Sequence, residues 1–310
     1  MKNKIITLIA LSLGGSLAAS PIASESFATP GGYVSGTSFG SASQNQNNII
    51  GTTGFSTSDN WNRNSALVTP RDTDSLTHNL MVGTAFSGGA RVRSPGGATG
   101  TRASYRALDS IPTGLIFYMS GLVSVRGDAD NMHMQSDAQI GLSTFAGLND
   151  QVGNNSYSPG FFLGLSRATS GAVNLAAFAG GNTYTLGNEL TGAALAGAHM
   201  IVLRAELGQS PGANDTLTAW YALAGESELT LGGSWSGINI ADSGSDMEAF
   251  GLRGATFDTD AEGVPDGVAF DEWRFGSTMG AVAIPEPSTV GIILGLMVFI
   301  PLWVRSRISR

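Results

Sequence analysis

The chain has 310 residues, with 16 Lys and Arg against 24 Asp and Glu, and no cysteine. The absence of thiols excludes disulfides, thiolate zinc sites and cysteine nucleophiles. The only lysines are Lys2 and Lys4, so the remainder is acidic, which argues against nucleic acid and anionic lipid surfaces as partners.

Lys2 and Lys4 stand before an apolar run from Ile5 to Leu13, followed by Gly14, Gly15 and small residues. This order predicts a secretory signal peptide over residues 1–28, cut after Ser24 or Ala28. Residues 29–48 are rich in Gly, Ser and Asn and read as an irregular lead-in with one edge strand near Tyr33. Residues 49–280 read as one domain, because no charged or proline-rich linker divides them. Glycine, 43 of 310 residues, suits short strands joined by turns.

Within that domain, Gly88 to Arg93 alternates after a glycine pair. Gly114 to Val125, Ala138 to Phe145, Phe161 to Leu165 and Val173 to Phe178 are β-prone runs. Met200 to Leu207 and Thr216 to Leu223 predict a hairpin. Ile201, Leu203, Ala205 and Leu207 share one face of its first arm, and turn formers from Ser210 to Asp215 join the arms. Ala249 to Arg253 and Val268 to Phe275 close the series. Along the last run, strict alternation puts Asp271 with Trp273 and Phe275, and Glu272 with Arg274. No stretch of the body shows a long 3.6-residue period. The pattern predicts an all-β antiparallel sandwich.

The tail begins at residue 283. Pro285 and Pro287 flank Glu286 and keep that segment extended. Val290 to Val304 is apolar or glycine except at Pro301, and Arg305, Arg307 and Arg310 follow. As a helix this run spans roughly 22 Å, short of a ~30 Å hydrocarbon core. It is a marginal anchor whose arginines stay cytoplasmic.

Pro285-Glu286-Pro287, the apolar run and the basic end resemble the PEP-CTERM sorting signal of Gram-negative bacteria. The resemblance implies a C-terminal transmembrane sorting helix over 283–310 and an exosortase, a membrane-embedded protease, as partner. It also implies transient inner-membrane anchoring, then release to the cell surface or extracellular matrix, in systems that accompany exopolysaccharide and biofilm. The body is similar to laminin-G-like, concanavalin A-like jelly rolls found on such proteins. Gly51 to Trp61, Ser75 to Gly89, Phe117 to Val123, Met200 to Tyr221 and Phe270 to Thr278 carry that likeness. It implies a fold and not an activity.

Asp258, Asp260, Glu262 and Asp266 cluster around Gly263. Carboxylates at alternate positions beside a glycine can aim several oxygens at one hard cation, so calcium is the candidate cofactor. The run resembles EF-hand and thrombospondin-type calcium loops, but Ala269 stands at the twelfth position, where those loops place a carboxylate. Asp271 is a nearby substitute. The alternative is a solvated acidic hairpin between strands.

Asp242, Asp246 and Glu248 are a poor match to the paired carboxylates of a glycosidase. His78, His133 and His199 show no metal or triad spacing. Trp61, Trp220, Trp235 and Trp273 are core candidates of which at most one is left for a sugar. The leading expectation is a non-enzymatic exported protein. A carbohydrate-binding module for polysaccharide is the alternative, and a glycan-active hydrolase or lyase comes third.

Overall fold

A computed structural model describes residues 21–27, 54–55, 62–63, 68–71, 76–81, 89–92, 101–110, 113–126, 134–145, 159–208, 214–240, 247, 249–257 and 267–283. The chain opens with β1 (Ala23–Glu25), β2 (Asn62–Arg63), β3 (Val68–Arg71), β4 (Gly89–Val92) and β5 (Thr101–Ala107). Long strands follow: β6 (Ile116–Arg126), β7 (Met134–Phe145), β8 (Pro159–Arg167), β9 (Val173–Ala179) and β10 (Asn182–Leu186). The hairpin β11 (His199–Glu206) and β12 (Asp215–Ala222) precedes β13 (Thr230–Ile238), β14 (Ala249–Phe257) and β15 (Gly267–Gly276). A single turn of helix, α1 (Met279–Val282), comes last.

These strands form two antiparallel sheets. One runs β13-β12-β11-β6-β15-β4-β3, with β1 also paired to β15; the other runs β10-β9-β8-β7-β14-β5-β2. Neighbours such as β6 and β15, or β7 and β14, are far apart in sequence, as in a jelly roll. The expected β-sandwich is thus present. The β11–β12 hairpin pairs as predicted, Met200 opposite Ala222 and Ala205 opposite Leu217.

The main core lies between the sheets. Phe117 and Met119 of β6, Leu203 of β11, Leu217 of β12 and Phe270 of β15 meet Leu163 of β8, Leu175 of β9 and Phe250 of β14 there. A second apolar layer covers the outer face of the first sheet. Leu76 and Met81, with Ala281, Val282 and Ala283, pack against Leu122, Met200, Val202 and Ala269. Strand β11 is therefore buried on both faces, which is why His199–Ala205 reads as a nearly continuous apolar run. Helix α1 is pinned by its cap, Thr278 Oγ1 accepting from Ala281 N at 3.2 Å, and by Ser120 Oγ donating to the Val282 carbonyl.

Several expectations change. The domain expected over 49–280 begins earlier, since β1 lies inside the stretch assigned to the leader. It also ends later, because α1 and Ala283 belong to the second layer. Strands β10 and β13 are additional to the expected series. They are the two edges at one end of the sandwich and are largely exposed, so apolar alternation is weak in both.

The facing of β15 also departs from strict alternation. Asp271 stands opposite Leu122 and Arg274 opposite Ser120, so Glu272 and Trp273 together face Gly121. This is a β-bulge. It turns Trp273 and Phe275 into the core with Phe270, while Asp271 bonds to the outer layer through Leu76 N. The lead-in 29–48, with its strand near Tyr33, lies outside the described residues.

Candidate functional site

The bulge gathers the densest buried charge in the described residues. Strand β4 pairs with Val268–Phe270 and β1 with Trp273–Phe275, both on the side of β15 away from β6. Asp271 and Glu272 fall in the gap between those two partners. Glu272 has φ +51°, a left-handed conformation that a side chain resists. The bulge sets this conformation and so breaks the alternation.

Asp271, 2% exposed, accepts from Leu76 N through Oδ2 and from Glu272 N through Oδ1, each at 2.8 Å. Burial pushes its carboxyl well above the usual carboxylate range, and the charges of Glu272 and Glu25 add to this against the two backbone hydrogen bonds. Glu25 Oε1 accepts from Phe27 N at 2.8 Å. Glu272 Oε2 lies 3.5 Å from Arg274 Nη2, the ion pair their spacing suggested. Arg106, on β5 of the other sheet, is buried and sits over the Phe55 ring at 5.1 Å. A carboxyl with a raised pKa beside two other carboxyls has the composition of a general acid–base pair. Here the three carboxyls are 0–4% exposed, and Asp271 and Glu25 are committed to backbone N–H groups. The arrangement ties segment 76–81 and β1 to β15.

The histidines form a second polar knot. His78 Nδ1 accepts from Leu80 N at 3.2 Å, so its Nε2–H donates to Leu223 O at 3.0 Å. His199 Nδ1 accepts from Ala224 N at 3.2 Å, and its Nε2–H donates to Ala194 O at 2.6 Å. Each ring thus spends both nitrogens on backbone groups. Burial lowers the His199 pKa, with the backbone bond to Ala194 opposing. Glu226 Oε2 accepts from Leu223 N at 2.7 Å, and Asn79 Nδ2 donates to Gly225 O at 3.3 Å. Four side chains clasp one turn, 223–226. Neither histidine has a ring nitrogen left for a metal or a substrate.

Asp215, which sequence reasoning counted only as a turn former, bridges Gly208 N at 2.8 Å and Ile240 N at 2.6 Å. It closes the β11–β12 connection onto the chain leaving β13.

The tryptophans divide as follows. Trp273 is fully buried among Phe250, Phe55 and Phe275. Half-buried Trp235 stacks on Tyr184 with centroids 4.3 Å apart. Half-buried Trp220 packs against the second layer. Trp61, His133, Asp242, Asp246 and Glu248 lie outside the described residues.

Asp258, Asp260, Glu262 and Asp266 also lie outside them. Their flanks correct one expectation. Phe257 ends β14 in one sheet and Gly267 begins β15 in the other, so the acidic segment connects sheets and is not a hairpin. Among the described residues no group of three or more His, Asp or Glu is placed to hold a metal. Pro285, Glu286 and Pro287 follow just beyond Ala283, the last described residue. Among the described residues no helix is long and apolar enough to cross a membrane.

No protein-family model matches the chain, and no curated protein matches it. Solved structures with similar folds include a GH43 glycoside hydrolase engineered to display endo-xylanase and exo-arabinofuranosidase activity, at 15% identity and TM-score 0.41. The match covers 73% of this chain and 39% of that one. The PL-14 alginate lyase from Aplysia kurodai matches at 12% identity and TM-score 0.41, over 68% of this chain and 90% of that one. The exoplasmic/lumenal domain of VIP36 in its Ca2+-bound form matches at 12% identity and TM-score 0.37, over 69% and 85%. At these scores none of them transfers an activity to this chain.

Proposed function

We propose that this is a non-enzymatic exported protein, a β-sandwich displayed at the cell surface or in the extracellular matrix after sorting by an exosortase. The observation that carries the reading is the order at the C-terminal end. The packed body runs to Ala283, Pro285-Glu286-Pro287 follows, and then come the apolar run and the arginines. Two prolines flanking Glu286 disfavour helix at that point, which suits recognition by a membrane protease. The polar clusters of the body support a non-catalytic reading, since their hydrogen bonds go to backbone groups of the fold itself. Association with extracellular polysaccharide belongs to this proposal, as does a calcium ion in the connection between β14 and β15.

The test is mass spectrometry of the protein extracted from cells that carry an exosortase. The mature C-terminus is expected near the Pro-Glu-Pro motif, and Glu286→Ala is expected to leave uncut protein in the inner membrane. An intact Arg310 terminus in the mature pool refutes the reading. A glycan pull-down with the same material separates a purely structural role from polysaccharide binding, and release of a product separates both from an enzyme.

A further inference from the structure

Residues 21–27 are built into the sandwich. Ala23, Ser24 and Glu25 pair with Phe275, Arg274 and Trp273, and Ile22 N donates to Phe275 O at 2.7 Å. Phe27 is fully buried, its ring 6.3 Å from that of Phe250. Gly54, with φ +76°, presses so closely on this segment that a Cβ there would stand 2.7 Å from Ala23 Cα. A leader cut after Ser24 or Ala28 removes β1 or interrupts it. Such a cut leaves residues 273–275 without their second partner strand. A cut after Ala28 also takes Phe27 from the aromatic cluster of Phe55, Phe250 and Trp273.

Small residues two apart mark a leader-peptidase site. Past Gly14 and Gly15, such pairs are Ser16 with Ala18, Ala18 with Ser20, Ser24 with Ser26, and Ser26 with Ala28. Cuts after Ser26 or Ala28 remove β1, and a cut after Ser20 would fall directly before Pro21, whose ring nitrogen carries no N–H. We propose that the leader is cut between Ala18 and Ala19, so that the new N-terminal segment supplies the strand pairing with β15. Water adds across that peptide bond, leaving a carboxyl on Ala18 and an amine on Ala19. The inference rests on the export reading above. The first and last described segments also meet at β15. Pro21 Cα and Ala281 Cβ flank Gly276, at 3.7 and 3.0 Å from where its Cβ would be.

N-terminal sequencing and intact-mass measurement of the exported protein test this. A first residue of Ala19 is expected. A start at Glu25 or Thr29 overturns the proposal and leaves export standing, whereas an intact Met1 overturns both. Ala18→Leu should leave most of the pool as precursor, and Ala28→Leu should be processed like the parent; the reverse pattern overturns the assignment. In the exported protein Phe27→Ala should lower the melting temperature by about 10 °C. An unchanged melting temperature would show that the segment is not part of the mature fold.

Discussion

Trp273 and Phe250 stack with ring centroids 3.6 Å apart, and they belong to different sheets. The bulge at Glu272 makes this contact, because it alone turns Trp273 inward. The stack is therefore a joint between the two layers. Trp273 Nε1 is buried without a hydrogen-bond partner among the described residues, which costs about 1–3 kcal/mol. The fold accepts this cost in exchange for aromatic packing.

Replacing that side chain separates the two effects. Trp273→Ala should lose about 3–5 kcal/mol in urea unfolding, as expected when a large buried aromatic leaves a cavity. Trp273→Phe should lose far less, since it keeps a stacked ring and removes the orphan N–H. Equal losses for the two variants would mean that stacking contributes little.

Asp271 gives a pH dependence with a definite sign. Its folded pKa is raised by burial, so the native state holds a proton that the unfolded chain releases near pH 3.9. Its contribution to stability is full below that value and is lost as pH rises through the folded pKa. Asp271→Asn should therefore gain on the parent as pH rises from about 4. A constant penalty is expected beside this trend, because an amide has one acceptor oxygen for two backbone N–H groups. Parallel stability curves from pH 4 to pH 8, on that order, would show that Asp271 titrates normally.

His199 works in the opposite direction. Burial lowers its folded pKa, so the unfolded chain takes up a proton first, near pH 6.5. The stability it contributes is present above that value and is lost as pH falls. His199→Gln should flatten the acid limb of the melting-temperature profile below about pH 6.5, while lowering stability at neutral pH. An acid limb as steep as the parent's would assign that limb to other groups.

Calcium should raise the melting temperature if Asp258, Asp260, Glu262 and Asp266 hold it, by mass action on the native state alone. The gain is roughly 2.7 kcal/mol when free calcium is ~100 times the dissociation constant. The titration should reach roughly millimolar concentrations, where extracellular sites can lie. Asp260→Ala should remove most of the rise and Asp246→Ala should not. A melting curve indifferent to both calcium and chelator would leave the segment as a solvated connection between sheets.

The sequence by itself determined the class of fold and the long interior strands. Residues 116–126, 173–179 and 199–206 carry enough β-prone, apolar side chains to be read without a partner. Alternation in the β11 arm identified the face that meets the opposite sheet, because a strand must put successive side chains on opposite faces.

Tertiary structure decided what depends on distant partners. Strand β1 is three residues long and has no periodicity of its own; it exists because β15 offers a free edge some 250 residues later. The bulge at Glu272 follows from meeting β6 with one residue to spare, and it inverts the facing that local alternation gives Asp271 and Trp273. His78 and His199 became one knot only through the turn at 223–226. Long-range pairing sets these features, and its register is not written in any short stretch of residues.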